Sequence, residues 1–406
     1  MAFVFDSPAQ ILAGYYKIHT SRSVLVTDYI GLGGLGAALL NAGVSGLFFL
    51  ILLILHRQDP KGVIVASLWT TIGFSLFGKN LANTMPILLG VLLYGRVKKI
   101  KFKDLFVPAM LSGTIAPLVT EIAFLQDDFS LFRIIAAIIV GLLIGFIFPV
   151  VTDEVKRVNK GFCLYNCGTA GGFIATFCVG LLRSVGIEII PESIWDMSHT
   201  QLLGTYVYIL ALALILFGVI KDKPQNAFRK YKQLLSETDP DGHDYLIKYG
   251  YTSYINMGTM IIIVTTVLLI MNIPINGPML GGIFTVAGFA LSGKNPRSTV
   301  TILIGSIIAS HLNYLDPTSP ANSFAILFST GLAPIAAKFG MASGILVGFA
   351  HVSIAIFVGQ LNGGLNLYNN GFAGGFSAIT IVPIIVFFKE LLNRHNPAIL
   401  GKKAEE

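Results

Sequence analysis

The sequence predicts an all-α polytopic membrane protein, with two inverted-topology repeats of about six helical segments each plus a linking helix. Three observations carry this prediction. Apolar runs recur almost from end to end, at lengths near the roughly 20 residues a bilayer requires. Long motifs occur twice in the same order, and the charges of matching loops change sign between the copies. The 406 residues are 54% hydrophobic and only 12% charged, with mean hydropathy +0.75, whereas ordinary soluble domains carry about 25% charged residues. A water-soluble chain of this length could not cover such a core.

The elements follow in chain order. Residues 1–29 mix Phe3, Tyr15, Tyr16, Lys17 and Arg22 and lack the basic start, apolar centre and small-residue cleavage site of a signal peptide. They read as an interfacial amphipathic segment, because Tyr and Lys favour the headgroup level. Repeat 1, residues 30–200, holds apolar segments at 30–55, 62–78, 81–96, 105–124, 131–152 and 161–184. A linking transmembrane helix occupies 201–220, and the polar interval 221–248 reads as a cytoplasmic linker. Repeat 2, residues 249–388, holds segments at 250–271, 278–292, 299–315, 322–337, 341–359 and 364–387, followed by a cytoplasmic tail, 389–406. Segments of about 16 residues, such as 62–78 and 81–96, fit either full crossings or half-helices of a re-entrant hairpin.

The duplication rests on residues. Gly73-Phe74-Ser75-Leu76-Phe77-Gly78-Lys79-Asn80 matches Gly288-Phe289-Ala290-Leu291-Ser292-Gly293-Lys294-Asn295 at six of eight positions. At the same offset of 215, Asn41 falls on Asn256 and Thr84 on Thr299. Ser112 to Pro117 then pairs with Ser329 to Pro334, and Gly161 to Ala175 matches Gly364 to Ala378 at ten of fifteen positions. The loop from Arg96 to Lys103 is strongly basic, yet its counterpart around His311 to Asp316 has no Lys or Arg. The Gln126-Asp127-Asp128 loop is acidic, while its counterpart carries Lys338. By the positive-inside rule each loop has changed sides, so the second copy is inverted, the N-terminus lies outside and the C-terminus is cytoplasmic.

Inverted repeats place solute sites at the repeat interface. Gly78-Lys79-Asn80 and Gly293-Lys294-Asn295 interrupt apolar sequence and read as broken helices, which are tolerated at membrane depth only where protein or water satisfies the backbone. The expected pathway residues are Lys79, Asn80, Thr84, Tyr165, Asn166, Lys294, Asn295, Thr299, Tyr368 and Asn369. An intramembrane lysine is by default a functional candidate, although Lys79 and Lys294 could equally tie backbone carbonyls at the helix breaks. Asn166 and Asn369 offer both donor and acceptor, Tyr165 and Tyr368 an aromatic wall. Their Gly171-Gly172 and Gly374-Gly375 neighbours also suit simple close packing. Glu121, in an apolar run after Pro117, is the candidate for ion coupling.

Other chemistry is not expected. Cys163, Cys167 and Cys178 cannot close a disulfide framework, and the Cys163/Cys167 pair lacks further ligands, so no metal is expected. His311 and His351 have no repeated partner and read as satisfied structural histidines. No phosphate-binding loop is present, because Lys79 and Lys294 are followed by Asn. The net charge of +7 is spread over short loops, which fits membrane orientation rather than nucleic acid. No cofactor is expected. The partners are the lipid bilayer, a small polar or anionic solute, and a second copy of the chain as a candidate.

At the Gly-Lys-Asn motifs and at Leu164-Tyr165-Asn166 and Leu367-Tyr368-Asn369 with their following glycines, the chain resembles a bacterial membrane family described only as a domain of unknown function. A fainter similarity is to urea channels, carried by Asn41 to Gly46 and Gly161 to Asn166. That resemblance implies an inverted repeat passing a neutral solute. It departs at Asn41-Ala42, where urea channels have Asn-Pro, and in the Lys-Asn motif, which is foreign to them. The reading is a permease or channel for a small polar or anionic solute. A membrane-embedded enzyme or a sensory or scaffold protein with the same duplicated fold is the alternative, but the asymmetric catalytic groups an enzyme needs are present only as isolated residues.

Overall fold

The computed structural model describes residues 2–124, 130–189, 193–238 and 244–394, with positions 393 and 394 described in backbone alone. The acidic loop at Asp127 and Asp128, and most of the tail, lie outside the described residues. The first half contains α1 (Ala2–Phe5), α2 (Pro8–Thr20), α3 (Tyr29–Gly33), α4 (Leu35–Leu55), α5 (Gly62–Phe74), α6 (Leu81–Lys98), α7 (Phe106–Leu111), α8 (Ala116–Ala123), α9 (Leu131–Asn159) and α10 (Asn166–Ser184). After α11 (Thr200–Asp222) come α12 (Pro224–Leu235), α13 (Tyr245–Tyr249), α14 (Thr252–Ile270), α15 (Gly277–Phe289), α16 (Pro296–Leu312), α17 (Pro320–Ser329), α18 (Ala333–Phe339), α19 (Met341–Leu361) and α20 (Asn369–Arg394).

Single 3₁₀ turns, Ser112–Ile115 and Thr330–Leu332, join α7 to α8 and α17 to α18. Counting each joined pair as one span, nine spans among the described residues are long and apolar enough to cross a membrane. The two joined spans are 89% and 83% buried and α11 only 28%, so the former are interior and the linking helix faces outward. On α9, Phe132, Ile135, Ile139 and Leu143 are exposed. An apolar exterior on that scale needs lipid around it.

The helix α5 and its counterpart α15 lie against each other in opposite directions. A Cβ on Gly73 would stand 2.7 Å from the Gly281 Cα, and one on Gly288 would stand 2.8 Å from the Ala66 Cα. These two contacts are exchanged by the 215-residue offset of the duplication, so a pseudo-two-fold axis runs between the helices. Gly168 and Gly371, also equivalent, touch each other, with Cβ-to-Cα approaches of 2.8 and 2.9 Å. The N-termini of α10 and α20 therefore meet on the axis inside the bundle, where the sequence segments 161–184 and 364–387 had suggested continuous crossings. Because equivalent helices run antiparallel, the copies are inverted.

One consequence concerns α5 and α15, each 13 residues or about 20 Å long. Gly62 N–H, at the start of α5, donates to Asp244 Oδ2 at 2.7 Å. The other end of α5 meets the opposite face of the bundle, where Tyr29 N–H donates to Leu76 O at 3.1 Å. The chain thus runs in α5 from the Asp244 end of the bundle to the Asp28 end, and α5 and α15 stand apart from the nine longer spans. Asp28 caps α3 through Ile30 N–H at 2.9 Å and accepts from Asp196 N–H at 3.1 Å. Asp244 likewise caps α13 through Ile247 N–H at 3.1 Å. We call these the Asp28 face and the Asp244 face.

The interval 221–248, read as a linker, holds α12 and α13. They repeat α2 and α3 in detail. Asn80 Nδ2 donates to Ile18 O on α2 at 3.3 Å, and Asn295 Nδ2 donates to Leu234 O on α12 at 3.1 Å. A short amphipathic helix thus covers the end of each short helix pair.

Candidate functional site

Each Gly-Lys-Asn break is built the same way. Glycine at positive φ, +69° at Gly78 and +95° at Gly293, reverses the chain, as a residue without Cβ can do freely. Asparagine then caps the next helix: Asn80 Oδ1 accepts from Asn83 N–H at 3.0 Å, and Asn295 Oδ1 from Ser298 N–H at 3.0 Å. The break is pinned from α4 and α14. Asn41 Nδ2 donates to Ser75 O and Lys79 O at 2.7 and 2.9 Å, and Asn256 Nδ2 to Ala290 O and Lys294 O at 2.7 and 2.8 Å. Buried carbonyls freed by the break are thereby paired.

The two breaks sit at opposite faces, and their lysines turn inward. Lys79 and Lys294 are 1% and 0% exposed, and neither makes an ion pair among the described residues. Lys79 Nζ reaches back over α5 to Thr71 Oγ1 at 3.4 Å and to Met110 O at 3.0 Å. Lys294 Nζ donates to Tyr165 Oη at 2.5 Å and Thr330 Oγ1 at 3.1 Å. Between them lies an aromatic cluster. Tyr165 and Tyr368 pair at 4.9 Å between ring centroids, Tyr165 meets Phe289 at 5.1 Å, and Tyr368 meets Phe74 at 5.1 Å. The geometry is symmetric but the chemistry is not: the position of Thr330 in the first copy is Gly113, and Tyr368 Oη is buried without a partner.

The remaining expected residues separate into groups. Thr84 and Thr299 are buried behind the caps. Asn166 Oδ1 accepts from Asn159 Nδ2 at 2.7 Å, and Asn369 Oδ1 from Asn362 Nδ2 at 2.6 Å, so each asparagine ties its helix start to the preceding helix region. Asn369 also lines a cavity. Glu121 is buried on α8 and held by both branches of the Arg22 guanidinium, through Nε at 3.2 Å and through Nη2. This pair adjoins a separate cleft lined by Thr20, Arg22, Thr27 and Phe124.

A cavity of about 550 Å³ opens among Arg183, Leu315, Ser319 and Gly363 near the Asp28 face and reaches Asn369 and Asn370, the first residues of α20. The sequence reading took His351 for a satisfied structural histidine and did not count Asn370 among the pathway residues. His351 is fully buried at the centre of α19, with the Asn370 side chain as its polar neighbour, yet neither ring nitrogen completes a well-formed hydrogen bond. The available signal was asymmetry: by the 203-residue offset, His351 and Asn370 correspond to Phe148 and Cys167.

Among the described residues no group of three or more His, Cys, Asp or Glu could hold a metal ion. Cys163 and Cys167 are buried free thiols, and Cys178 is a partly buried one.

Fold and interior together define a duplicated polytopic membrane protein with polar groups gathered about its internal symmetry axis. The chain belongs to the family described as protein of unknown function (DUF1576), whose model matches residues 7–184 and 223–387. The second match begins inside the interval read as a linker, in keeping with the pairing of α12–α13 with α2–α3. No curated protein and no solved structure matches the chain.

Proposed function

We propose that the protein is a permease for a small polar or anionic solute, with its pathway at the interface of the two copies. The observation that carries this reading is the cavity that runs from the Asp28 face to the start of α20. A helix that begins inside a bundle presents unpaired N–H groups and the positive end of its dipole there. Solute sites in inverted-repeat transporters are built from such interrupted helices. The Asp244 face carries the basic loops Arg96–Lys103 and Lys221–Lys232, which makes it cytoplasmic by the positive-inside rule. The cavity then opens outward, and the Tyr165/Tyr368 pair closes the path toward the cytoplasm. The short-motif similarity to urea channels points the same way.

Lys79 and Lys294 flank that closure. A buried ammonium held only by neutral oxygens and aromatic rings is costly in apolar surroundings. We read both as gate residues whose partners are exchanged when the path opens. Flux into proteoliposomes over a panel of small neutral and anionic solutes tests the assignment. Lys79→Ala and Lys294→Ala are expected to lower the flux at least tenfold. Wild-type flux in both variants would remove the lysines from the pathway, and absence of flux for every solute would remove the permease reading.

A further inference from the structure

The solute class is set by the groups that line the cavity, and the buried lysines do not line it. At its inner end the lining side chains are Asn369, Asn370, Ala355 and Ile356, with Gln360 and Gly359 a turn further out. None is charged, and Arg183 contributes its exposed side chain nearer the surface. Asn370 is 5% exposed and its Oδ1 has no hydrogen-bond partner. This is an acceptor left without a well-formed hydrogen bond inside a membrane protein, with only the His351 imidazole beside it, at a place where an unsatisfied group is costly. The backbone N–H groups of Asn369 and Asn370 belong to the first turn of α20, which has no intrahelical acceptors to offer them.

The inner end therefore holds, just below the cavity surface, an unsatisfied amide oxygen that a turn of the Asn370 side chain would present, with helix-terminal donors within one residue of it. The His351 imidazole lies beside the Asn370 amide and can donate or accept as the tautomer requires. A carboxylate would find donors but would face the unsatisfied Asn370 oxygen. An ammonium would face the positive end of α20. A neutral amide or polyol satisfies both.

We infer that Asn370, backed by His351 as a positioning residue, forms a binding site for a small neutral solute carrying both a hydrogen-bond donor and a carbonyl or hydroxyl acceptor. The inference rests on the permease reading for its biological meaning, but binding itself does not require transport. The first copy has Cys167 and Phe148 at the equivalent positions, so the site belongs to one half only.

The test places a reporter thiol at Ala355→Cys, on the cavity wall one helical turn from His351. Its modification by a small thiosulfonate is followed with acetamide, glycerol, acetate or methylammonium as protectant, against the chain without this thiol. Acetamide or glycerol is expected to slow modification saturably, with acetate and methylammonium at least tenfold weaker. Adding Asn370→Cys or His351→Phe, the residues the first copy already accommodates, is expected to raise the half-protecting concentration about tenfold. Asn370→Cys adds a second thiol, so modification is read site by site by peptide mass. Asn370→Ser, which adds no thiol, and His351→Gln serve if either variant fails to elute as the wild type does.

Equal protection by acetate, protection unaltered by the Asn370 variants, or no protection by either neutral probe would each overturn the site. Acetamide flux in proteoliposomes separates the two readings. Asn370-dependent protection without flux would leave the site and refute the permease, whereas flux insensitive to Asn370 would do the reverse.

Discussion

At the scale of single residues, the duplicated motif and the roles of its members were legible to different degrees. Asn80 and Asn295 were readable as polar interruptions, but their work is local: they cap α6 and α16 and bond the covering helices α2 and α12. The inward turn of both lysines depends on which oxygens the neighbouring spans bring near, and Thr71, Met110, Tyr165 and Thr330 come from four different stretches of the chain. Sequence spacing cannot supply that. Asn41 and Asn256 make the sharpest residue-scale prediction, because each side chain pairs two buried carbonyls at a helix break. Asn41→Ala or Asn256→Ala leaves both unsatisfied, at about 1–3 kcal/mol per group. Each variant is expected to lose about 2–6 kcal/mol, checked by denaturant unfolding in mixed micelles. A loss below 1 kcal/mol would mean that water reaches the break.

At the scale of elements, helix existence was readable from apolar runs, but two features were not. The interval 221–248 is polar enough to pass for a linker, and its helices form because they pack on the end of the second copy, through Leu234, Tyr245 and Tyr249. The start of α10 and α20 inside the bundle was hidden because Gly161 to Tyr165 and Gly364 to Tyr368 read as the first turn of each apolar segment. What fixes both starts is the contact of Gly168 with Gly371, where no side chain fits. Gly168→Val or Gly371→Val is expected to destabilise by about 1–3 kcal/mol as an overpacked contact. It is also expected to separate the Tyr165/Tyr368 pair, since both rings stand on the same turns. The same unfolding assay reads the first effect, and a change in tyrosine ultraviolet circular dichroism reads the second. Gly180→Val, with open space around its Cβ position, is the control that should leave both unchanged.

At the scale of the whole molecule, loop charge carried more information than its small number of residues suggests, because inversion forces equivalent loops to opposite sides of the membrane. The antiparallel α5/α15 pair gives the same relation from packing alone. The two arguments are independent, one electrostatic and one geometric. They meet in one prediction: Lys101→Cys and Asp316→Cys, in equivalent loops of the two copies, are exposed on opposite faces. A membrane-impermeant maleimide applied to intact cells is expected to label Asp316→Cys at once and Lys101→Cys only after permeabilisation. The native chain is the blank: Cys163 and Cys167 are buried, and any labelling of the partly buried Cys178 is subtracted with it. The reversed pattern would keep the inversion but turn the cavity toward the cytoplasm, so that Asn370 would be approached from within. Labelling of both from one side would break the two-fold relation, and with it the argument that two halves share one path.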